Sequence, residues 1–184
     1  SLMAKWMGLV SGPTTFHLSK IMGYDCTADV KNHQKLVSKW IEWFTTELWQ
    51  RASSHDNSKL EEPEKSTYDH WKPILETLKF GTPEYDDAVA NMGEGLKHHF
   101  ANNRHHAEHW TNGIDDMTLI DLIECFVDWV AVNDERGTRL PLGLLSRRFN
   151  ISEQLINIIA NTAREIDVQR EEVGITTRLA PKET

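Results

Sequence analysis

From Asp29 onward the apolar residues Val30, Leu36, Val37, Trp40, Ile41, Phe44 and Leu48 recur at spacings of three and four, with His33 inside the same stripe. That is the period of one helix face. It returns in later stretches, and no stretch shows the period-two alternation of a half-buried strand. The chain is therefore predicted to be all-α, with about six or seven helices. The first is expected to end near Ala52. A second is expected over residues 63–78, with Pro73 kinking or interrupting it. Thr82-Pro83 opens a third, a cap residue followed by proline at the first position. Tyr85, Ala88, Val89, Met92, Leu96 and His99 are expected on one face of that single helix, which Asn102-Asn103 should break. Residues 103–116 are read as a loop or short turns. A helix follows from about Asp116 to Val132, then a turn over 133–137 and a short helix over 140–149. Asn150 and Glu153 resemble a capping box for a last helix running to about Val168. The expected organisation is a lead-in over 1–28, a helical domain over 29–170 and a flexible tail over 171–184.

Composition narrows the function. At 184 residues the chain can bury a real core. Its net charge of −8 argues against an extended nucleic-acid partner, which wants Lys and Arg on one face. A small phosphorylated molecule stays compatible, since a metal can neutralise its charge. No apolar run reaches the roughly 18 residues that span a bilayer, so no membrane partner is expected. The start carries a short apolar patch but no signal-peptide core, and Ser1-Leu2 before Met3 reads as a cloning remnant. Cys26 and Cys125 are far apart and are read as two free thiols of a reducing compartment. The expected location is the cytoplasm, and a homo-oligomer is compatible with the sequence.

Seven of the nine histidines fall in one constellation: His33, His55, His98, His99, His105, His106 and His109. A lone histidine on an apolar face is more often part of a core than a ligand. Five histidines within twelve residues are harder to explain as surface decoration. Asp56 follows His55 directly, and Asp128 sits between Val127 and Trp129 in an apolar run. A carboxylate buried there needs a partner or a metal. Imidazoles with carboxylates suit Mn, Fe, Ni, Co or Zn better than Mg or Ca. From the residues alone, His33, His55, Asp56 and Asp128 form a candidate ligand set. Asp121 and Glu124 line the same stripe, either supporting that set or facing solvent. Lys59 and Arg104 are candidates for meeting a substrate phosphate, each with the plainer reading of a surface cation.

The order His33, His55-Asp56 with Ser58-Lys59, a histidine cluster and then Asp128 resembles the HD-domain superfamily of metal-dependent phosphohydrolases, whose pattern is H…HD…D on a helical core. A more specific resemblance, over about residues 30–165, is to the DUF5662 family of uncharacterised bacterial and phage proteins. It rests on His55-Asp56-Asn57-Ser58-Lys59 with Glu62 or Glu64 after it, on His99, Asn103, His105-His106 and Glu108-His109, and on Met117, Leu119, Leu122, Glu124 and Asp128-Trp129. The HD resemblance implies a helical bundle in which His33, His55, Asp56 and Asp128 hold a first metal. His99, with His105 or His106, would hold a second metal or bind substrate phosphate. Asp56 and Lys59 would be catalytic, and Lys59, Arg104, His105 and His109 would face the substrate. One or two divalent transition-metal ions are implied.

The leading expectation is hydrolysis of a small phosphate ester or nucleotide by metal-activated water. The alternatives are an HD-like di-iron oxygenase and a non-catalytic metal-binding or interaction protein. Residues 144–163 can be read as a helix-turn-helix, but their apolar content and the acidic charge favour core packing.

Overall fold

The computed structural model describes residues 24–172, with side chains through Asp167. Most of the expected lead-in and the whole tail beyond residue 172 lie outside the described residues. Seven α-helices and three short 3-10 turns make up the described chain, with no strand among them. The helices are α1 (Thr27–Ser54), α2 (Glu64–Thr77), α3 (Pro83–Ala90), α4 (Gly93–Asn102), α5 (Leu119–Arg136), α6 (Leu142–Arg148) and α7 (Glu153–Glu172). The 3-10 turns are Asn57–Leu60, Ala107–His109 and Gly113–Asp116. The chain divides into two units, Ser1–Glu42 and Trp43–Thr184. In the first unit the described part is residues 24–42, most of it the first part of α1, with His33 exposed on it.

The second unit holds every other candidate residue. There α2 packs against α3, α4 and the Asn57–Leu60 turn. Gly95 of α4 is what lets α2 and α4 close, because a Cβ at this position would lie 2.5 Å from Thr67 Cβ. A core cluster of Ala107, Ile114 and Ile151 is packed by Met117, Leu122, Trp129, Phe149, Leu155 and Ile156. Trp129 and Phe149 stack with ring centroids 5.4 Å apart. The thiol of Cys125 is buried and that of Cys26 exposed, and both are free. Where α6 turns into α7, Leu145, Ile151 and Ile159 are buried, as the core-packing reading of residues 144–163 expected.

Four sequence expectations change. Helix α2 runs uninterrupted through Pro73. Pro73 and Asp69, four residues earlier, are both exposed, so water can take the hydrogen bond that proline removes. The expected third helix is two helices, α3 and α4. Asn91 and Met92 separate them, and Gly93, the first residue of α4, has φ of 60°, a left-handed conformation that breaks a continuous α-helix and that glycine adopts freely. The expected turn over 133–137 is helical up to Arg136, and Gly137 caps α5 at φ 62°. The last helix is started not by Asn150, which sits at φ 49°, but by Ser152, whose Oγ accepts from Leu155 N at 3.3 Å. The cap expected at Thr82 is present, with its side chain accepting from Tyr85 N and Pro83 at the first position.

Candidate functional site

The site begins where α1 ends. His55 follows the last residue of α1, and Asp56 turns the chain at φ 56° into the Asn57–Leu60 turn. A left-handed non-glycine residue is uncommon, and aspartate tolerates it better than most. The turn puts Ser58, Lys59 and the Asp56 carboxylate beside α2 and α4.

Four donors converge there: Asp56, His99, His105 and His106 each offer an atom within 4.8 Å of the others. Asp56 Oδ1 lies 3.5 Å from His99 Nε2 and 3.5 Å from His105 Nε2. His99 Nε2 and His106 Nε2 are 2.7 Å apart. The His99 and His105 side chains are almost fully buried, at 1% and 2% exposure. Among the described residues Asp56 Oδ1 and His105 Nε2 are buried polar atoms without a hydrogen-bond partner. Such atoms are costly in a protein interior unless something else engages them. A second, overlapping group is His55, His105 and Asp128.

The other ring nitrogens explain why the Nε2 atoms point inward. His99 Nδ1 lies 2.8 Å from Glu64 Oε2. His105 Nδ1 lies 3.2 Å from Glu124 Oε1. A carboxylate at Nδ1 holds the proton there and leaves the Nε2 lone pair free to ligate, the arrangement usual behind metal-bound histidines. Glu64 is completely buried and also takes His98 Nδ1 at 2.7 Å and the Ser58 hydroxyl at 2.9 Å. Asn103 ties the same corner together by donating to Ser58 Oγ at 2.7 Å. Glu124 further faces His55 Nδ1 at 2.9 Å and accepts from Arg51 Nη1 at 3.0 Å. Arg51 Nη2 reaches Asp121 Oδ1 at 3.0 Å, and Arg104 binds Asp121 through both Nε and Nη2 at 3.1 Å.

Burial of the imidazole, with His105 and His99 beside it, pushes His106 down to about 2, so His106 is neutral and available as a ligand. Burial also lowers His99. His55 moves the other way, raised to about 10 by Asp128 and Glu124 against the opposing effect of burial. Asp121 is held down at about 2, because hydrogen bonds from Arg104, Thr118 and Arg51 outweigh its desolvation. The Lys59 ammonium lowers Asp56 against desolvation. Desolvation and the nearby carboxylates raise Tyr68, whose ring meets His99 edge-on with centroids 5.4 Å apart.

The sequence candidates sort as follows. Asp56, His99, His105 and His106 come together. His55 and Asp128 are beside them, with His55 Nε2 3.5 Å from Asp128 Oδ1. His33 is exposed on α1 and is in neither ligand group. Lys59 Nζ pairs with Asp56 Oδ2 at 2.5 Å. Arg104 is engaged by Asp121 and lies over the Trp110 ring at 4.7 Å, and His109 Nδ1 bonds to the Phe100 carbonyl at 2.8 Å. The fully buried carboxylate of α5 is Asp121, not Asp128, whose side chain is 21% exposed. Glu64 is the main residue that the ligand chemistry did not single out. It occupies a first-turn position of α2, where an acid ordinarily just complements the helix dipole. Asp121 had a clearer signal, the Thr118-x-x-Asp121 spacing of a capping box, and both of its hydrogen bonds are present.

The fold and site together define an all-α protein with a buried cluster of three imidazoles and a carboxylate, two of the imidazoles each backed by its own glutamate. The chain belongs to the DUF5662 family, a family of unknown function whose model matches residues 22–165. No curated protein and no solved structure matches it.

Proposed function

We propose that this protein is a cytoplasmic, HD-like metal-dependent phosphohydrolase acting on a small phosphate ester or nucleotide. The observation that carries the reading is the pair of buried, unpartnered atoms Asp56 Oδ1 and His105 Nε2, 3.5 Å apart beside the Nε2 atoms of His99 and His106. Three imidazoles and one carboxylate are a donor set suited to Mn, Fe, Co, Ni or Zn. In this reading Asp56, His99, His105 and His106 hold the ion. The set differs from the HD pattern in taking its histidines from residues 99–106.

A bound ion of this kind lowers the pKa of a coordinated water and polarises a phosphoryl oxygen. The chain supplies the rest. Lys59, with a side chain 32% exposed, gives a cation beside the ligand carboxylate to offset phosphate charge. His55, held between Asp128 and Glu124, would give a proton to the departing oxygen. No described helix is long and apolar enough to cross a membrane.

The test is phosphate release from p-nitrophenyl phosphate and from nucleoside monophosphates after loading with Mn, Co, Ni, Fe or Zn. Release that Asp56→Asn and His106→Ala abolish is expected. Failure on every ester with every ion would refute hydrolysis. An oxygen-dependent visible absorption change in the iron form would move the site to oxidative chemistry instead.

A further inference from the structure

Resting on the metal reading just given, we propose that the Lys59 ammonium takes the place of a second cation, so that the site accepts one divalent ion and not two. Asp56 presents its two oxygens to different surroundings. Oδ1 is buried and unpartnered and faces His99 Nε2 and His105 Nε2. Oδ2 is engaged by Lys59 Nζ at 2.5 Å.

On the Oδ2 side the donors of a second site are nearly assembled. His55 Nε2 is 3.7 Å from Asp56 Oδ2 and 3.5 Å from Asp128 Oδ1. An imidazole and two carboxylate oxygens facing one another are an ordinary start for a transition-metal site. His105 cannot complete both groups, since its Nε2 has one lone pair. A second ion therefore depends on Asp56 Oδ2, the oxygen that Lys59 holds. Two cations at one carboxylate oxygen in a partly buried site repel strongly, because the local dielectric is well below that of water.

The charges near the cluster point the same way. Lys59 pairs with Asp56, Arg51 with Asp121 and Glu124, and Arg104 with Asp121, whereas Glu64 and Asp128 meet histidines. A second divalent ion would add two positive charges beside Lys59, and a neutral side chain at residue 59 removes one of the charges it would meet.

Lys59 is held in place for this role. It lies 4.6 Å from the Tyr68 ring centroid, within cation–π range, and the Asn57–Leu60 turn carries it three residues from Asp56. Its side chain is partly exposed, so its replacement by a side chain of similar length leaves the core untouched.

The experiment is manganese stoichiometry, by plasma mass spectrometry and electron paramagnetic resonance of the full chain, for wild type, Lys59→Met, Lys59→Gln and Lys59→Arg. One ion per chain with a mononuclear six-line spectrum is expected for wild type and Lys59→Arg. Two ions per chain with an exchange-coupled spectrum are expected for Lys59→Met and Lys59→Gln, so a folding defect in one neutral variant does not hide the answer. Two ions in wild type, or one ion in both neutral variants, would overturn the inference and leave the metal reading standing. No ion in wild type would overturn the metal reading itself.

Discussion

Replacing Gly95 by alanine tests the contact that brings two of the histidines to their glutamate. In an exposed helix interior this change stabilises, by about 1 kcal/mol, because glycine is the more flexible residue. Here the new Cβ would overlap Thr67 Oγ1 and lie 2.5 Å from Thr67 Cβ and 2.7 Å from Thr67 Cγ2. Optimal carbon–carbon contact is about 3.5–4.0 Å. Rotation of the Thr67 side chain cannot relieve the overlap with its own Cβ, so α2 and α4 must move apart by roughly 1 Å to restore that contact distance. Overpacking of this kind costs about 1–3 kcal/mol. After subtracting the propensity gain, Gly95→Ala should lose up to about 2 kcal/mol. The same displacement lengthens the contacts of His99 and His98 with Glu64, now 2.8 and 2.7 Å, so metal affinity should fall as well. Urea unfolding at constant m reads the first effect, and metal titration the second. A raised midpoint would mean that α2 and α4 are not this close, and the orientation of His99 by Glu64 would lose its basis.

Two further predictions concern the carboxylates of α5. Glu124→Gln keeps the shape but weakens the acceptor shared by His55 Nδ1 and His105 Nδ1. Metal affinity should fall about 10–100-fold, the usual effect of losing such a supporting carboxylate; an unchanged affinity in isothermal titration would show that Glu124 does not set the His105 tautomer. Asp121 has a folded pKa depressed from 3.8 to about 2, so its stabilisation is full above pH 3.8 and is lost as pH falls through 2. That difference is worth roughly 2 kcal/mol. Wild type should therefore lose most of that much more stability than Asp121→Asn between pH 5 and pH 2 in urea melts, and equal losses would refute the assignment.

Much of the fold was legible because helix period survives at the level of single residues. The helical course of α1 and the cap at Thr82 were readable from spacing, and the α6–α7 core from its apolar content. The misread boundaries share a cause, since each turns on backbone conformation at one residue. Gly93 splits a stretch whose apolar period continues across the break, and Gly137 ends α5 a turn later than the polar residues 133–136 suggested.

The site was legible as an inventory more than as an arrangement. Histidine density singled out His99, His105 and His106, and adjacency singled out Asp56. The apolar stripe made His33 look interior, yet it is exposed in the described chain. Spacing could not show that Asp56 adopts a left-handed conformation, nor that Glu64 and Glu124 would meet the outer nitrogens of His99 and His105. Those contacts join residues far apart in the chain and arise only when α2, α4 and α5 assemble around the turn that follows α1.

The proposed metal site is made of Asp56, His99, His105 and His106. Its most direct test is metal content after reconstitution and gel filtration, measured for wild type, for His105→Ala with Asp56→Asn, and for His33→Ala. Transition metal retained by wild type and by His33→Ala, and lost from the double variant, is the predicted result. Retention by the double variant, or loss on changing His33, would contradict the account.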